Sequence, residues 1–267
     1  VDAGNGRDGS RSGSLTVDGA TVVAAGPAGR LLAVGDDQGQ VHVFEAVASP
    51  EGPSFRVSLK PLWSGGPEPG ERQPGRGAAA VTDLTFSPDG SRLLASSRER
   101  WIDEWAAASG DPAGPGRQVL GQRRVRYLPD GLRVAAIGRS WSTVRVDPAP
   151  SMGDRGEARV FPKMPHDDSH SSMDVMGGEV PLVVTASLDG SVLVWAADDG
   201  ELKARFGAHD GPVVDIDTGF AGSVVSISQD GTTALWPVDG TEPALRHRPR
   251  GILTLERQRL KRDAGGR

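Results

Sequence analysis

Two stretches, VVTASLDGSVLVW (183–195) and VVSISQDGTTALW (224–236), align without a gap. Each reads as an apolar strand ending in a hydroxyl residue, an Asp-Gly turn, a second alternating strand and a closing tryptophan. Asp-Gly between alternating apolar runs is a strong short-range hairpin signal, because the glycine accepts the left-handed backbone that a tight turn needs. Trp195 and Trp236 stand 41 residues apart, room for four short strands and their turns.

Working outward toward the N-terminus, weaker copies follow. LTFSPDGSRLLASSRERWIDEW (84–105) holds a Ser-Pro-Asp-Gly turn and ends in Trp105. RYLPDGLRVAAIGRSWSTVRVD (126–147) keeps the Pro-Asp-Gly turn but has Asp147 where the tryptophan would stand. VVAAGPAGRLLAVGDDQGQVHVF (22–44) ends in Phe44. These make five repeats of period-2 strands, and no sustained 3.6-residue period occurs before residue 251. A lone four-stranded blade leaves apolar faces in water, whereas radial stacking covers them. The expected fold is therefore all-β: a β-propeller of four-stranded antiparallel blades, five of them recognisable. Seven blades of about 40–45 residues would need more chain than this, so an incomplete ring is expected, with the first and last blades presenting open faces.

On these residues the chain resembles the WD-repeat β-propeller family, of bacterial type, over roughly residues 15–248. The family pattern runs Gly-His, an Asp-bearing strand, Ser-Pro-Asp-Gly, an apolar strand with Ser or Thr, Asp-Gly, and Trp-Asp. The last repeat follows it best, with His209, Asp215, Ser226, Asp230-Gly231 and Trp236. The resemblance implies a buried structural tetrad of His209, Ser226, Asp230 and Trp236. It implies a second in the preceding repeat from Thr185, Asp189 and Trp195, with His166 as the displaced histidine. Trp105, Trp195 and Trp236 are followed by Ala106, Ala196 and Pro237 rather than by aspartate. The first three repeats lack the tetrad and are expected to be held by apolar packing alone.

Residues 1–14 are Gly, Ser and charge, and read as a flexible linker or frayed end. Blades are expected at about 15–63, 80–120, 121–164, 165–206 and 207–248. Phe55, Val57 and Leu59 alternate as an outer strand of the first, and the Pro- and Gly-rich 64–77 reads as a loop. Residues 249–267 form a basic tail or the start of a further element. Opening on Val1 rather than Met fits a piece of a larger signalling or regulatory protein.

Composition narrows the function. With 37% apolar residues plus 37 glycines among 267, the chain has the content of a folded domain, and 37 Gly with 20 Pro suits many tight turns. No run approaches the roughly 18 apolar residues of a membrane span. A net charge of −5 argues against a nucleic-acid-binding body, and zero cysteines exclude disulfides and thiolate chemistry while allowing a cytoplasmic address.

His166, Asp167, Asp168, Ser169 and His170 gather metal-ligand residue types, but the segment joins two blades without helical period, so the reading preferred is a tetrad histidine with turn-capping aspartates and no metal site. His209, Ser226 and Asp230 superficially resemble a hydrolytic triad, yet no Gly-x-Ser-x-Gly elbow accompanies them. Asp83, Asp174 and Asp215 recur at what looks like one position at the start of three blades. Two readings of them stay open, turn-stabilising bonds to nearby backbone N–H groups or an acidic binding rim. The expectation is a non-catalytic interaction scaffold or sensor without cofactor, binding a protein or peptide and prone to self-association through open blade faces. The alternative is a hydrolase or metal-dependent enzyme with its site near 166–170.

Overall fold

The computed structural model describes residues 2–4, 11–14, 16–51, 54–66, 79–99, 101–118, 122–138, 144–153, 159–161, 170–207, 209–220, 222–238 and 245–247. A small ladder pairs β1 (Asp2–Gly4) with β2 (Arg11–Ser14). Five four-stranded sheets follow, each laid down in chain order. The first is β3 (Ala20–Ala25), β4 (Leu31–Asp36), β5 (Val41–Glu51) and β6 (Ser54–Gly65); the second is β7 (Val81–Phe86), β8 (Arg92–Ser97), β9 (Trp101–Ala106) and β10 (Arg117–Gln118). The third is β11 (Gln122–Tyr127), β12 (Arg133–Gly138), β13 (Val144–Pro148) and β14 (Arg159–Val160). The fourth is β15 (His170–Met176), β16 (Leu182–Ser187), β17 (Ser191–Ala196) and β18 (Leu202–Gly207), and the fifth β19 (Val213–Phe220), β20 (Ser223–Ser228), β21 (Thr233–Pro237) and β22 (Leu245–His247). Every neighbouring pair runs antiparallel, and no helix of the described residues is long and apolar enough to cross a membrane.

Register makes the five sheets equivalent. Leu93 faces Trp105, Val183 faces Trp195 and Val224 faces Trp236 across the second and third strands, while Leu32 faces Phe44 and Val134 faces Asp147 at the same place. The Asp-Gly turns that set this register hold Gly90, Gly190 and Gly231 at φ of 72, 86 and 81°, a conformation that costs glycine least.

Packing follows the alternation. Among the described residues, four buried apolar clusters join successive sheets, and Trp105, Trp195 and Trp236 each pack toward the sheet before their own. Trp105 packs with Val41, Val43 and Ala33 of the first sheet, and Trp195 with Ile137, Val144 and Val146 of the third. Trp236 packs with Val184, Val194 and Phe206 of the fourth; Leu94 and Ile102 meet Val125, Tyr127 and Val134 between the second and third. The first and fifth sheets each carry one cluster, and exposed apolar side chains remain on both, Val23 on β3 and Val214 and Ile227 on the fifth.

Three features differ from the sequence reading. The N-terminal fourteen residues hold the β1–β2 ladder, because backbone pairing asks for no apolar side chains. The first three sheets are not held by apolar packing alone: Arg145 Nε donates to both oxygens of Asp147 at 2.8 and 2.6 Å, His42 Nε2 lies 3.1 Å from Asp36, and Glu104, buried on β9, accepts hydrogen bonds from the third sheet. In the first sheet, β6 extends well beyond the Phe55–Leu59 run to Gly65, bringing Trp63 within 6.1 Å of Trp105 and its indole N–H to the Ala107 carbonyl.

Candidate functional site along the inner strands

The first strands of the five sheets, β3, β7, β11, β15 and β19, pack side by side in chain order as the inner strands. Alternation leaves every second residue of an inner strand off the apolar interface. Asp83, Arg124, Ser172 and Asp215 are equivalent, since they pair with Ser96, Ile137, Ala186 and Ile227, each three residues beyond Leu93, Val134, Val183 and Val224 on the second strand, and by the same count Thr85 is equivalent to Arg126, Asp174 and Asp217. Asp83 and Asp215 therefore share a position, whereas Asp174 lies two residues further along the same strand face. The expected common position for all three is corrected by hairpin length: Asp174 pairs with Val184 while its equivalent Asp217 pairs with Val225, so the first hairpin of the fourth sheet is two residues longer than that of the fifth.

Two arginines of β11 gather the aspartates. Arg126 Nη1 donates to Asp83 Oδ2 at 2.6 Å and to its neighbour's carbonyl, Val125 O, at 2.8 Å, while its Nε lies 3.5 Å from Asp174 Oδ1. Arg124 reaches Asp215 Oδ1 at 3.4 Å and Asp83 Oδ1 at 3.9 Å. The carboxylates also clasp adjacent sheets through backbone: Asp83 accepts the Val125 N–H at 2.9 Å, and Asp174 accepts both the N–H and the hydroxyl of Thr218. Asp215 accepts the Ser172 hydroxyl at 2.6 Å. Burial pushes the Asp83 carboxyl above the ordinary range, opposed by Arg126 and the Val125 N–H. The aspartates thus combine ion pairs between sheets with hydrogen bonds from the backbone N–H groups of Val125, Thr218 and Ile216. Arg124 and Arg126 were missed in the sequence. Their signal was local, two arginines alternating through RRVRY (123–127) where the second, fourth and fifth repeats carry Asp or a hydroxyl residue.

A cavity of about 510 Å³ opens beside this network. Val22 through Pro27 form one wall, Asp83 through Pro88 a second, and Arg124, Arg126, Tyr127 and Val175 close it.

The groups of the last repeat lie elsewhere, inside the fifth sheet. Trp236 Nε1–H donates to Ser226 Oγ at 2.8 Å, and Ser226 Oγ lies 2.7 Å from His209 Nε2. His209 Nδ1 is 2.6 Å from Thr232 Oγ1, whose hydroxyl donates to Asp230 Oδ1. Since indole only donates and carboxylate only accepts, these groups are mutually satisfied by a neutral histidine protonated on Nδ1. Thr232 is thus interposed between histidine and aspartate, which stand 3.7 Å apart. Ser226 has no exposed surface, so its hydroxyl cannot meet a substrate. In the fourth sheet Trp195 Nε1–H donates to Thr185 Oγ1 at 3.2 Å, and Asp189 accepts the N–H and hydroxyl of Ser191. His166, Asp167, Asp168 and Ser169 lie outside the described residues; His170 opens β15 and is fully buried. Among the described residues, no three His, Asp or Glu side chains are grouped to hold a metal ion.

The recurring Asp-Gly-Ser/Thr turn has a pH consequence. The Thr232 hydroxyl, with the N–H groups of Thr232 and Asp210, holds the Asp230 carboxyl down to about 2, and the Ser87 hydroxyl and Ser91 do the same for Asp89. A carboxyl held below its unfolded value contributes stability that is full above about pH 4 and is lost as pH falls through about 2. Asp230→Asn is expected to lower the melting temperature at neutral pH and to flatten its fall between pH 4 and 2, as read by circular dichroism melts across pH. An unchanged profile would remove this carboxylate from the account.

Residues 72–105, which span the second sheet's first three strands, match the family described as WD domain, G-beta repeat. That segment is a WD40 repeat, and it carries Asp83, the Ser87-Pro88-Asp89-Gly90 turn and Trp105. A comparison with curated proteins returns no match to the chain.

Proposed function

We propose that the chain is a non-catalytic binding scaffold of the WD-repeat type, which presents the inner-strand cavity and the turns between its strands to a protein partner. A WD40 repeat within five equivalent four-stranded sheets supports a repeat-based binding surface. The observation that carries the reading is the disposal of the His-Ser-Asp groups among the described residues. His209, Ser226 and Asp230 are spent on one another and on Trp236 and Thr232, whereas the accessible polar feature is a cavity flanked by paired charges. His209, Ser226, Asp230 and Trp236 are structural on this reading, as are Thr185, Asp189 and Trp195.

The test is reconstitution. A partner identified by crosslinking from the source cell, purified and mixed with this chain, is expected to bind saturably in calorimetry and to crosslink to turns or inner strands. Turnover of a substrate by the purified chain, or a partner whose binding vanishes on boiling-resistant peptide fragments alone, would overturn it. Exposed Val23, Val214 and Ile227 on the two terminal sheets also lead us to expect self-association, read as mass above the monomer in light scattering. A single monomeric mass at high protein concentration would count against open terminal faces.

A further inference from the structure

We propose that the inner-strand cavity binds the free C-terminal carboxylate of a peptide ending in an apolar residue, with Arg124 as the group that recognises it. The proposal rests on the scaffold reading above and names the ligand chemistry of its cavity.

Two unlike walls define that ligand. On one side β3 offers the half-buried apolar residues Val22 and Ala24, which hold on that strand the positions of Asp83 and Thr85. Facing into the same cavity are Arg124 and Arg126. The two arginines are not equally committed. Arg126 is anchored at 2.6 Å to Asp83 and 2.8 Å to the Val125 carbonyl. Arg124 has its carboxylate contacts at 3.4 and 3.9 Å, and its side chain is 28% exposed. A guanidinium carries five N–H donors in a planar fork matched to a carboxylate. Arg124 is the cation whose donors are loosely used at the cavity wall.

Charge selects a monoanion. Asp83, Asp174 and Asp215 set three negative charges against two guanidiniums, so a dianion would add to an excess of like charge. A cationic group would find Asp83 already occupied, its side chain 3% exposed and bonded to Arg126 and the Val125 N–H. A single carboxylate can exchange for Asp215 on Arg124, because the Asp215 side chain is 50% exposed and keeps Ser172 as a partner. Position selects the chain end. In a terminal residue the carboxylate and the side chain leave the same Cα, so one apolar residue meets the guanidinium and the β3 wall together. An internal acidic side chain would leave that wall to a second residue.

Calorimetry of the full chain with N-acetyl-Gly-Gly-Leu-Val as free acid, with its C-terminal amide, and with N-acetyl-Gly-Asp-Leu-Val amide tests this. The free acid is expected to bind saturably, and both amides about ten-fold or more weaker, the loss of a charge-assisted hydrogen bond. Arg124→Gln should weaken the free acid by about ten-fold in a chain that circular dichroism shows still folded. Asp215→Asn should tighten it several-fold, since the competing carboxylate is gone; general destabilisation would not produce that gain. Equal binding of acid and amide, no binding of the acid up to about 10 mM, or an Asp215→Asn protein that binds no tighter would each overturn the assignment. If a reconstituted protein partner still binds the Arg124→Gln chain at full strength while the acid does not bind wild type, the scaffold reading stands and the cavity assignment falls. Failure of both partner and peptide removes both.

Discussion

Trp236→Ala is expected to lower the free energy of unfolding by about 3–5 kcal/mol, the range for removing a large buried aromatic. The indole is 3% exposed, stacks on Phe206 with ring centroids 5.0 Å apart, and meets His209 edge-on at 6.3 Å. Its removal opens a cavity between the fourth and fifth sheets and also takes the donor from Ser226 Oγ. His209→Ala is expected to cost about 2–4 kcal/mol, less packing but more stranded polarity, since Ser226 and Thr232 both lose their partner at buried or half-buried positions. Trp236→Phe separates the two contributions: the ring contact with Phe206 survives and the N–H does not, so a loss of about 1–2 kcal/mol is expected. Urea unfolding at neutral pH measures all three. A His209→Ala chain with the wild-type midpoint would show that the chain of hydrogen bonds does not hold this sheet, and the structural role proposed for it would fall.

The legible part of this fold was the part written in short-range pattern. Two aligned segments ending in Trp195 and Trp236, with Asp-Gly turns between alternating strands, carried strand number and antiparallel order. What was less legible depended on register across sheets. Asp83, Asp174 and Asp215 look equivalent when strings are aligned, yet the longer first hairpin of the fourth sheet places Asp174 two residues along. Hairpin length shifts register without changing the residues around the aspartate, so alignment alone does not find it. Arg124 and Arg126 were passed over for a related reason. Their partners lie some 40 to 90 residues away in sequence, and only the side-by-side placement of the inner strands brings them within reach. Thr232 was readable in principle. Asp89-Gly90-Ser91, Asp189-Gly190-Ser191 and Asp230-Gly231-Thr232 repeat a hydroxyl two residues after the aspartate, where its N–H and side chain both meet the carboxylate. That the hydroxyl would also reach a histidine could not be read from the turn.

Glu104→Ala is the second substitution expected to be costly, about 3 kcal/mol, and it lies where sequence reading placed only apolar packing. Glu104 is a carboxylate with a side chain that has no exposed surface. It accepts the Tyr127 hydroxyl at 2.6 Å, the Ser151 hydroxyl at 3.1 Å and the Ser151 backbone N–H, and Arg92 Nη1 approaches to 3.4 Å. Glu104 and Arg92 belong to the second sheet, Tyr127 to the third and Ser151 to the 3-10 turn between β13 and β14, so the carboxylate joins the Asp83 bonds and the contacts of Leu94, Ile102 and Val134 in tying the two sheets together. Burial, with the charge of Glu104, pushes the Tyr127 hydroxyl far above its ordinary range, which keeps it a donor at any working pH. Breaking a buried ion pair from one side costs about 3–5 kcal/mol because the remaining groups stay buried without a partner. The lower end applies here, since the Arg92 side chain is 21% exposed and retains the Gly131 carbonyl at 2.8 Å. Glu104→Gln should fall between, about 1–2 kcal/mol, as its amide oxygen can accept from Tyr127 while its NH₂ opposes the guanidinium. Tyr127→Phe alone should cost about 1 kcal/mol, and the double variant Glu104→Ala with Tyr127→Phe less than the sum, because the second change removes a donor already stranded by the first. Urea midpoints of the four proteins close the cycle. Strict additivity would mean that the hydroxyl and the carboxylate do not share a bond in solution, and a Glu104→Ala chain as stable as wild type would show that the second and third sheets are held together without it.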